Sequence, residues 1–424
     1  MARFSLTRRQ LLLGGAAIAT GGVMAIKPSD MGAQSHDDYF NSMSDALKRT
    51  QQSQPLLIVD RHRLDANIEV IKSHLSNRFD FRIVAKSLPS VEMLGYIMAK
   101  AETQKLMVFH QPFLTQIAQK IPQSDVLMGK PLPINAVRKF YQTKPSSAFD
   151  DTKQLQWLVD SLDRLKQHES LAAELNQAMQ INIELDVGLH RGGVNNDAEF
   201  QAMLALIESS NWLSFSGLMG YEPHIGKVPG GVEKNRDQAM TVYQHYIDLA
   251  EQQLGSDIRH LTLNGAGSPT YQYYNDGSYP MTELSAGSCL VKPCGFDLDS
   301  LQDHVATSFI ATPVLKTMGQ TQIPGVDGLG SLMSMWNPNW EKTFFVYGGY
   351  WKAEPESPKG LTLNPIYGRS SNQEMLNGSS KIHLQKDDWV FLRPTQSEAV
   401  FLQFGDILLY DNGAITERWP VLAG

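Results

Sequence analysis

Cysteine is nearly missing from this chain: 424 residues carry two, Cys289 and Cys294. In an extended run their Cα atoms would lie roughly 16 Å apart, outside disulfide range unless Pro293 folds the chain back. No cluster of cysteine and histidine accompanies them, so the zinc-site signature is absent too. A long basic run is lacking, and with a formal charge of −7 the chain is a poor partner for nucleic acid. At 42% hydrophobic and 19% charged residues it is ordinary globular material, neither collagen-like, coiled-coil nor disordered, and long enough for two domains with their own cores.

A comfortable membrane span is also wanting. The apolar stretch Leu11 to Ile26 is short and diluted by Gly14, Gly15, Gly21 and Gly22. It comes after Ser5-Leu-Thr-Arg8-Arg9, and paired arginines ahead of a mild apolar segment read as a twin-arginine export signal over 1–27. Val23-Met-Ala25 is the best cleavage site, an uncleaved anchor being the alternative. Cutting there removes three arginines and no acid, which takes the formal charge from −7 to −10. This route resembles the one used by proteins that fold and load a cofactor before leaving the cytoplasm. The expectation is a periplasmic protein, passed through the export machinery, with a cofactor aboard.

Residues 28–54 are rich in Ser, Asp and Gln and read as a polar linker. After the apolar run Leu56–Asp60, the recurrence of Leu64, Ile68, Ile71 and Leu75 at spacings of four and three predicts a helix from Arg61 to about Asn77. Strand candidates then alternate with helical stretches: Phe81–Lys86, Lys105–His110, Asp125–Gly129, Leu155–Asp160, Ile181–Gly188, Leu213–Gly220, His260–Gly267 and Glu283–Leu290. Eight strands in such a series predict an α/β fold, a (β/α)8 TIM-type barrel over 55–290, with a doubly wound open sheet as the alternative. Residues 55–60 fall outside the eight and belong either to the barrel or to a second, β-rich domain. From 291 to 424 the texture turns to short β-like runs, Phe344–Tyr347, Trp389–Leu392, Val400–Leu402, Ile407–Tyr410 and Ile415–Pro420, punctuated by Gly, Pro and Asn. Asp411-Asn-Gly413 is a strong hairpin turn, and this second, C-terminal domain is expected to be all-β.

In Phe81-Arg-Ile-Val-Ala-Lys86 an amine stands where an apolar strand runs out, the end at which barrel enzymes carry their chemistry. In Asn182-Ile-Glu-Leu-Asp186-Val-Gly188-Leu-His190-Arg191, Asp186 and Arg191 fall at the same mouth, with glycines that let backbone approach a ligand; His190 faces either ligand or solvent. A guanidinium fixed there suits a phenolate or carboxylate oxygen. Asn264-Gly265-Ala-Gly267-Ser268 leaves a late strand through a turn that is neither a Walker loop nor a dinucleotide fingerprint, yet exposes successive N–H groups to an anion. Each segment alone is as well read as a surface lysine, a loop ion pair and a plain turn. A terminal phosphate, an oxygen beside an arginine and a lysine together describe pyridoxal 5′-phosphate.

Here the chain resembles a known family. Val84-Ala-Lys86-Ser87, Leu185-Asp-Val-Gly-Leu-His-Arg191-Gly and Gly217-Leu-Met-Gly-Tyr221 look like the lysine strand, arginine loop and ring-stacking segment of the alanine racemase barrel. Asn264-Gly-Ala-Gly-Ser268, Thr282-Glu283-Leu-Ser-Ala-Gly287 and Trp419-Pro-Val421 are similar to the D-threonine aldolase and D-serine dehydratase-like branch. The resemblance spans about Leu56 to Gly424. It implies that Lys86 carries the cofactor on its ε-nitrogen, that Arg191 binds the phenolic oxygen and that Tyr221 lies against the pyridine face. It further implies that Asn264, Gly265, Gly267 and Ser268, with Gly287, hold the phosphate, and that the protein works as a homodimer.

The chain departs from the family at three places. Where the branch carries a metal-binding histidine followed two residues later by Asp or Cys, this chain reads Thr395 and Ser397, poor ligands for a divalent ion; Glu398 and His383 are the substitutes at hand, and no metal site is expected. After Tyr221, where the aldolases look to carry a histidine, stands Glu222, which makes Glu222 and His224 candidates for proton transfer at the substrate, against a plain surface-loop reading. Where the racemase sets an arginine against the pyridine nitrogen stands Ser285, with Glu283 nearby as the group that would keep that nitrogen protonated. The resulting expectation is an enzyme acting on a small, D-configured amino acid, a lyase or aldolase on a β-hydroxy-D-amino acid. The alternatives are an amino-acid racemase and a non-catalytic binding protein that retains the barrel.

Overall fold

The computed structural model describes residues 27–76, 78–144, 148–326 and 328–424. The Arg8-Arg9 export motif and its cleavage site lie outside the described residues. Among those residues, no helix is long and apolar enough to cross a membrane. Two compact units emerge: Leu56–Phe309 with Arg393–Gly424, and the described part of Met1–Pro55 with Ile310–Leu392.

The first unit opens with β1 (Leu56–Asp60), whose last residue caps the next helix: the Asp60 carboxylate accepts from the Arg63 N–H at 3.0 Å. That helix, Arg61–Leu75, buries Leu64, Ile68, Ile71 and Leu75, the stripe that the spacing predicts, and stops where Ser76 turns left-handed at φ 51°. Eight parallel strands then close into a barrel among the described residues. They are β2 (Asp80–Val84), β3 (Lys105–Val108), β4 (Asp125–Met128), β5 (Leu155–Val159), β6 (Met179–Leu185), β7 (Leu213–Gly220), β8 (Thr262–Gly265) and β9 (Glu283–Ala286). Closure is explicit, since β9 returns to pair with β2 from Asp80↔Glu283 to Ile83↔Ala286. The open-sheet alternative is thereby excluded. Two strands end earlier than the apolar runs suggest. Lys86 sits on a 3-10 turn, Ala85–Ser87, just past β2, and β9 gives way after Gly287 to the helical turn Ser288–Val291.

The barrel interior is polar toward the amino ends of its strands, where Lys105, Asp125 and Glu283 are the first residues of β3, β4 and β9. Arg82 is fully buried and donates to both oxygens of Glu283, to the Leu106 carbonyl at 3.0 Å and to the Asp125 carboxylate at 3.1 Å. Lys105 adds a 2.9 Å bond to Glu283. A buried ion group of this kind is satisfied on every side or it is destabilising.

In the second unit β10 (Ser308–Met318) pairs antiparallel with β11 (Lys342–Tyr347) and with β15 (Trp389–Pro394); β12 (Ala353–Ser357) joins β15, and β13 (Thr362–Leu363) joins β14 (Gln373–Gly378), which pairs with β11. The stretch expected as a linker over 28–54 contains instead a helix, Asp38–Arg49, capped by Asp37. Its polar composition hides an amphipathic stripe: Phe40, Met43, Ala46 and Leu47 are buried at helical spacing.

The chain after 393, expected within the C-terminal β domain, groups with the barrel instead. Arg393 grips Asp297 through two bonds of 2.9 and 2.6 Å, and β16 (Asp406–Asp411) lies parallel to β1 while pairing antiparallel with β17 (Ala414–Pro420). Asn412 and Gly413 both take positive φ, 48° and 79°, as the hairpin turn requires. Val400–Leu402, read as a β run, belongs to the helical turns Ser397–Val400 and Phe401–Gln403.

Candidate active site

The carboxyl ends of the barrel strands surround a cavity of about 490 Å³. Lys86 enters it from β2, Phe109 from β3, Lys130 from β4, Asp160 from β5, Glu184 and Arg191 from β6, Tyr221 from β7, Ala266 to Ser268 from β8, and Ser285, Gly287 and Ser288 from β9. A larger cavity, about 740 Å³, lies in the second unit, but among the described residues its wall holds no charged side chain. The charged side chains gather instead in the barrel cavity.

Lys86 has its ammonium 3.9 Å from Glu398 and 4.6 Å from the centre of the Phe109 ring. Burial pulls this amine below the usual lysine range; Glu398 opposes that, and the charges of Arg191 and Lys130 add to it. Glu398 is itself oriented by the Ser87 hydroxyl, which donates to it at 2.8 Å. Arg191 stacks its guanidinium 4.8 Å from the centre of the Tyr221 ring. The loop that carries it is tied by Asp186, which accepts from the N–H groups of Gly188 (3.1 Å) and His190 (2.8 Å) and pairs with the His190 ring at 2.8 Å. His190 therefore turns away from the cavity, its side chain 81% exposed.

Next to β2, where the ring of strands closes, the turn after β8 and the turn after β9 form a cradle. The Ser268 hydroxyl oxygen accepts from the N–H groups of Gly287 (3.0 Å) and Cys289 (3.1 Å) and so locks the two turns together. Gly287 has no room for a side chain, since a Cβ would stand 2.6 Å from the Val84 carbonyl oxygen; at Gly267 it would stand 2.6 Å from the Tyr221 ring. Backbone can thus come right up to a ligand between them.

Five expected site residues lie elsewhere. Asn264 and Gly265 do not line the cavity. The Asn264 amide donates to Glu283 at 2.8 Å and to Ser285 at 2.7 Å, while Gly265 is packed on Met281, so the cradle begins at Ala266. Glu283 is inside the barrel, held to about 2 against its burial by Arg82 and Lys105, and Ser285, two residues on, takes its place at the cavity. Glu222 is fully buried beneath the cradle, accepting from Thr270 (3.0 Å) and the Ala266 N–H (3.3 Å); it props the turn and does not reach the cavity. His224 packs beside Gly188 and is not part of the cavity wall either.

Asp160, Glu184, Lys130 and Glu398 were not among the expected catalytic groups. Glu184 is buried, and burial together with the nearby Asp160 charge pushes it up to about 7, with Arg191 pulling the other way. One signal was available: Asn182 and Glu184 alternate along an apolar strand, and period two puts both on one side of it. Among the described residues, no group of three or more His, Cys, Asp or Glu is placed to hold a metal ion.

A closed parallel barrel with an amine, a stacked arginine and a glycine cradle at its mouth defines a class, the barrel enzymes that use pyridoxal phosphate. The residues fit that group: the cradle suits a phosphate, Arg191 an oxyanion, Tyr221 a ring face and Lys86 an aldehyde carbon. The chain belongs to the family whose model is described as alanine racemase, N-terminal domain, matched over residues 59–293. Solved structures agree on the fold. D-threonine aldolase from Filomicrobium marinum is similar with a TM-score of 0.69 at 14% identity, covering 87% of this chain and 94% of that one. D-threo-3-hydroxyaspartate dehydratase from Delftia sp. HT23 gives 0.66 at 14%, covering 88% and 98%. Alanine racemase from Bacillus anthracis gives 0.67 at 12%, covering 87% and 98%. A search of curated proteins finds no match.

Proposed function

We propose that the protein is a pyridoxal phosphate-dependent lyase or aldolase acting on a small β-hydroxy-D-amino acid. The observation that carries this reading is a single cavity holding Lys86, the Arg191 and Tyr221 pair, the 266–268 and 287–288 cradle and the carboxyl of Glu184. When bound, the cofactor supplies withdrawal of electrons from the substrate's α-carbon, and the protein selects which bond breaks. Arg191 and the cradle hold and orient; Phe109 and Tyr221 exclude water. Glu184, poised at about 7, is a base able to take the proton from a β-hydroxyl as the carbon–carbon bond opens. That supports β-hydroxy chemistry with Thr395 and Ser397 where the branch was expected to carry metal ligands.

A second reading, amino-acid racemase, is favoured by one feature: Lys86 and Glu184 are two proton-transfer groups in one cavity. Purified protein loaded with pyridoxal phosphate and given D-threonine or D-serine in deuterated water separates the two. Aldehyde or keto acid supports the lyase; deuterium at the α-carbon of both enantiomers supports the racemase. Lys86→Ala should abolish the visible absorbance of the bound cofactor, and a wild-type protein without such absorbance would leave a non-catalytic barrel. Export in the folded state on the Arg8-Arg9 signal to the periplasm, and assembly as a homodimer, complete the proposal; cell fractionation and light scattering check them.

A further inference from the structure

Lys130 is the cavity cation that the cofactor reading leaves without a task. It comes after β4 and Gly129, and it lines the cavity together with Lys86, Phe109, Asp160, Glu184 and Arg191. Its backbone is pinned, because a Cβ at Gly129 would stand 2.3 Å from the Phe109 ring and 2.7 Å from Met107. Its side chain is exposed to the cavity, and among the described residues no carboxylate comes within ion-pair distance of it, although Asp160 and Glu184 share the wall. The charge nonetheless reaches the reaction centre, since it is felt at Lys86.

Topology says what this cation faces. In the ring of strands β2 to β9, the cradle after β8 and β9 stands across the barrel from β4. A group held by its phosphate in that cradle would reach Lys86 after β2 and Arg191 after β6. The wall at β4 and β5, which carries Lys130 and Asp160, remains for the substrate. Every free amino acid brings a carboxylate, and a carboxylate entering a half-enclosed cavity beside Asp160 and Glu184 needs a cation to offset their repulsion. With Lys86 and Arg191 engaged, Lys130 is that cation.

We propose that Lys130 binds the carboxylate of the amino-acid substrate and makes the cavity select free amino acids over their neutral derivatives. The inference rests on the cofactor reading of the same cavity. The test uses the loaded enzyme and tracks the cofactor's absorbance during titration with D-serine and with D-serinamide, which lacks the carboxylate charge. Wild type should bind the acid about tenfold tighter than the amide. Lys130→Met should bring the two within about twofold of each other while cofactor content stays that of wild type, and Lys130→Arg should restore the preference. A Lys130→Met protein that keeps the wild-type preference overturns the assignment, as does a loaded wild type that responds to neither compound. A wild type that takes up no pyridoxal phosphate fails at the earlier step and is told apart by its colourless spectrum.

Discussion

Glu222 shows at the scale of one residue how this site is supported from below. It has no contact with solvent, and burial pushes its carboxyl up to about 7, with the Thr270 hydroxyl and the Ala266 N–H pulling back. A folded-state value above the ordinary 4.5 has a definite sign for stability. Below pH 4.5 both states hold the proton and no stability is lost. Between 4.5 and about 7 the unfolded chain sheds a proton that the folded one keeps, so stability falls; above 7 the loss is complete and constant. The ceiling is about 3 kcal/mol. Glu222→Gln keeps an acceptor oxygen for Thr270 or Ala266 and cannot titrate. Its stability relative to wild type, measured by urea unfolding, should therefore rise by up to about 3 kcal/mol from pH 5 to pH 8. A difference that stays flat over that range would show that the carboxyl ionises freely in the fold.

That residue also marks where the sequence was legible and where it was not. Lys86, Arg191, Tyr221, Gly267, Ser268 and Gly287 were readable because each stands at a strand end inside a motif with its own local chemistry, and all of them line the cavity. Glu222 and His224 come after β7, beyond the point where strand alternation says which way a side chain turns. Lys130, Asp160 and Glu184 come from three different strands, and each alone looks like an ordinary polar residue at a strand end. Only barrel closure makes them neighbours. Glu398 reaches Lys86 from a segment more distant still, after the whole of β10 to β15.

At the scale of the element, the parallel strands were the most readable feature, because strands covered on both faces are written as near-continuous apolar runs. The register between them was not. In the pairing of β6 with β7, Ile181 faces Phe215 but Asn182 faces Gly217, so Ser216 is an extra residue. This bulge re-aims the end of β7, after which the Tyr221 ring meets the guanidinium of Arg191. Gly217 makes it possible: its φ is 145°, and a Cβ would stand 1.9 Å from the Thr262 carbonyl oxygen on β8, a backbone atom that cannot step aside. Gly217→Ala should cost on the order of 3 kcal/mol or more in urea unfolding. Gly95→Ala is the control. It lies in the helix Val91–Ala101 with nothing within 4 Å of its Cβ, and alanine there should be neutral or stabilising by up to about 1 kcal/mol. Equal effects at the two glycines would mean that the bulge is not what Gly217 maintains.

At the scale of the whole molecule, the barrel unit is built from two separated stretches of chain, and its cavity depends on the second. The return at Arg393 is fixed twice over, by the paired bonds to Asp297 and by donation to the Lys292 carbonyl at 3.1 and 2.8 Å. Five residues later Glu398 meets Ser87 and stands beside Lys86. Arg393 is thus an anchor for a residue of the cavity wall while lying outside the wall itself. Loosening the anchor lets Glu398 drift, and Lys86 then loses the carboxylate beside which its amine is positioned. Arg393→Met should weaken pyridoxal phosphate binding several-fold, and Asp297→Asn should do so less, because the Lys292 bonds survive. Since both act through one contact, the double variant should match Arg393→Met, with a coupling equal in size to the Asp297→Asn loss, on the order of 0.5 kcal/mol, in a double-mutant cycle. Strictly additive losses in cofactor affinity would sever the link between this ion pair and the cavity, and would make Glu398 an independently held residue.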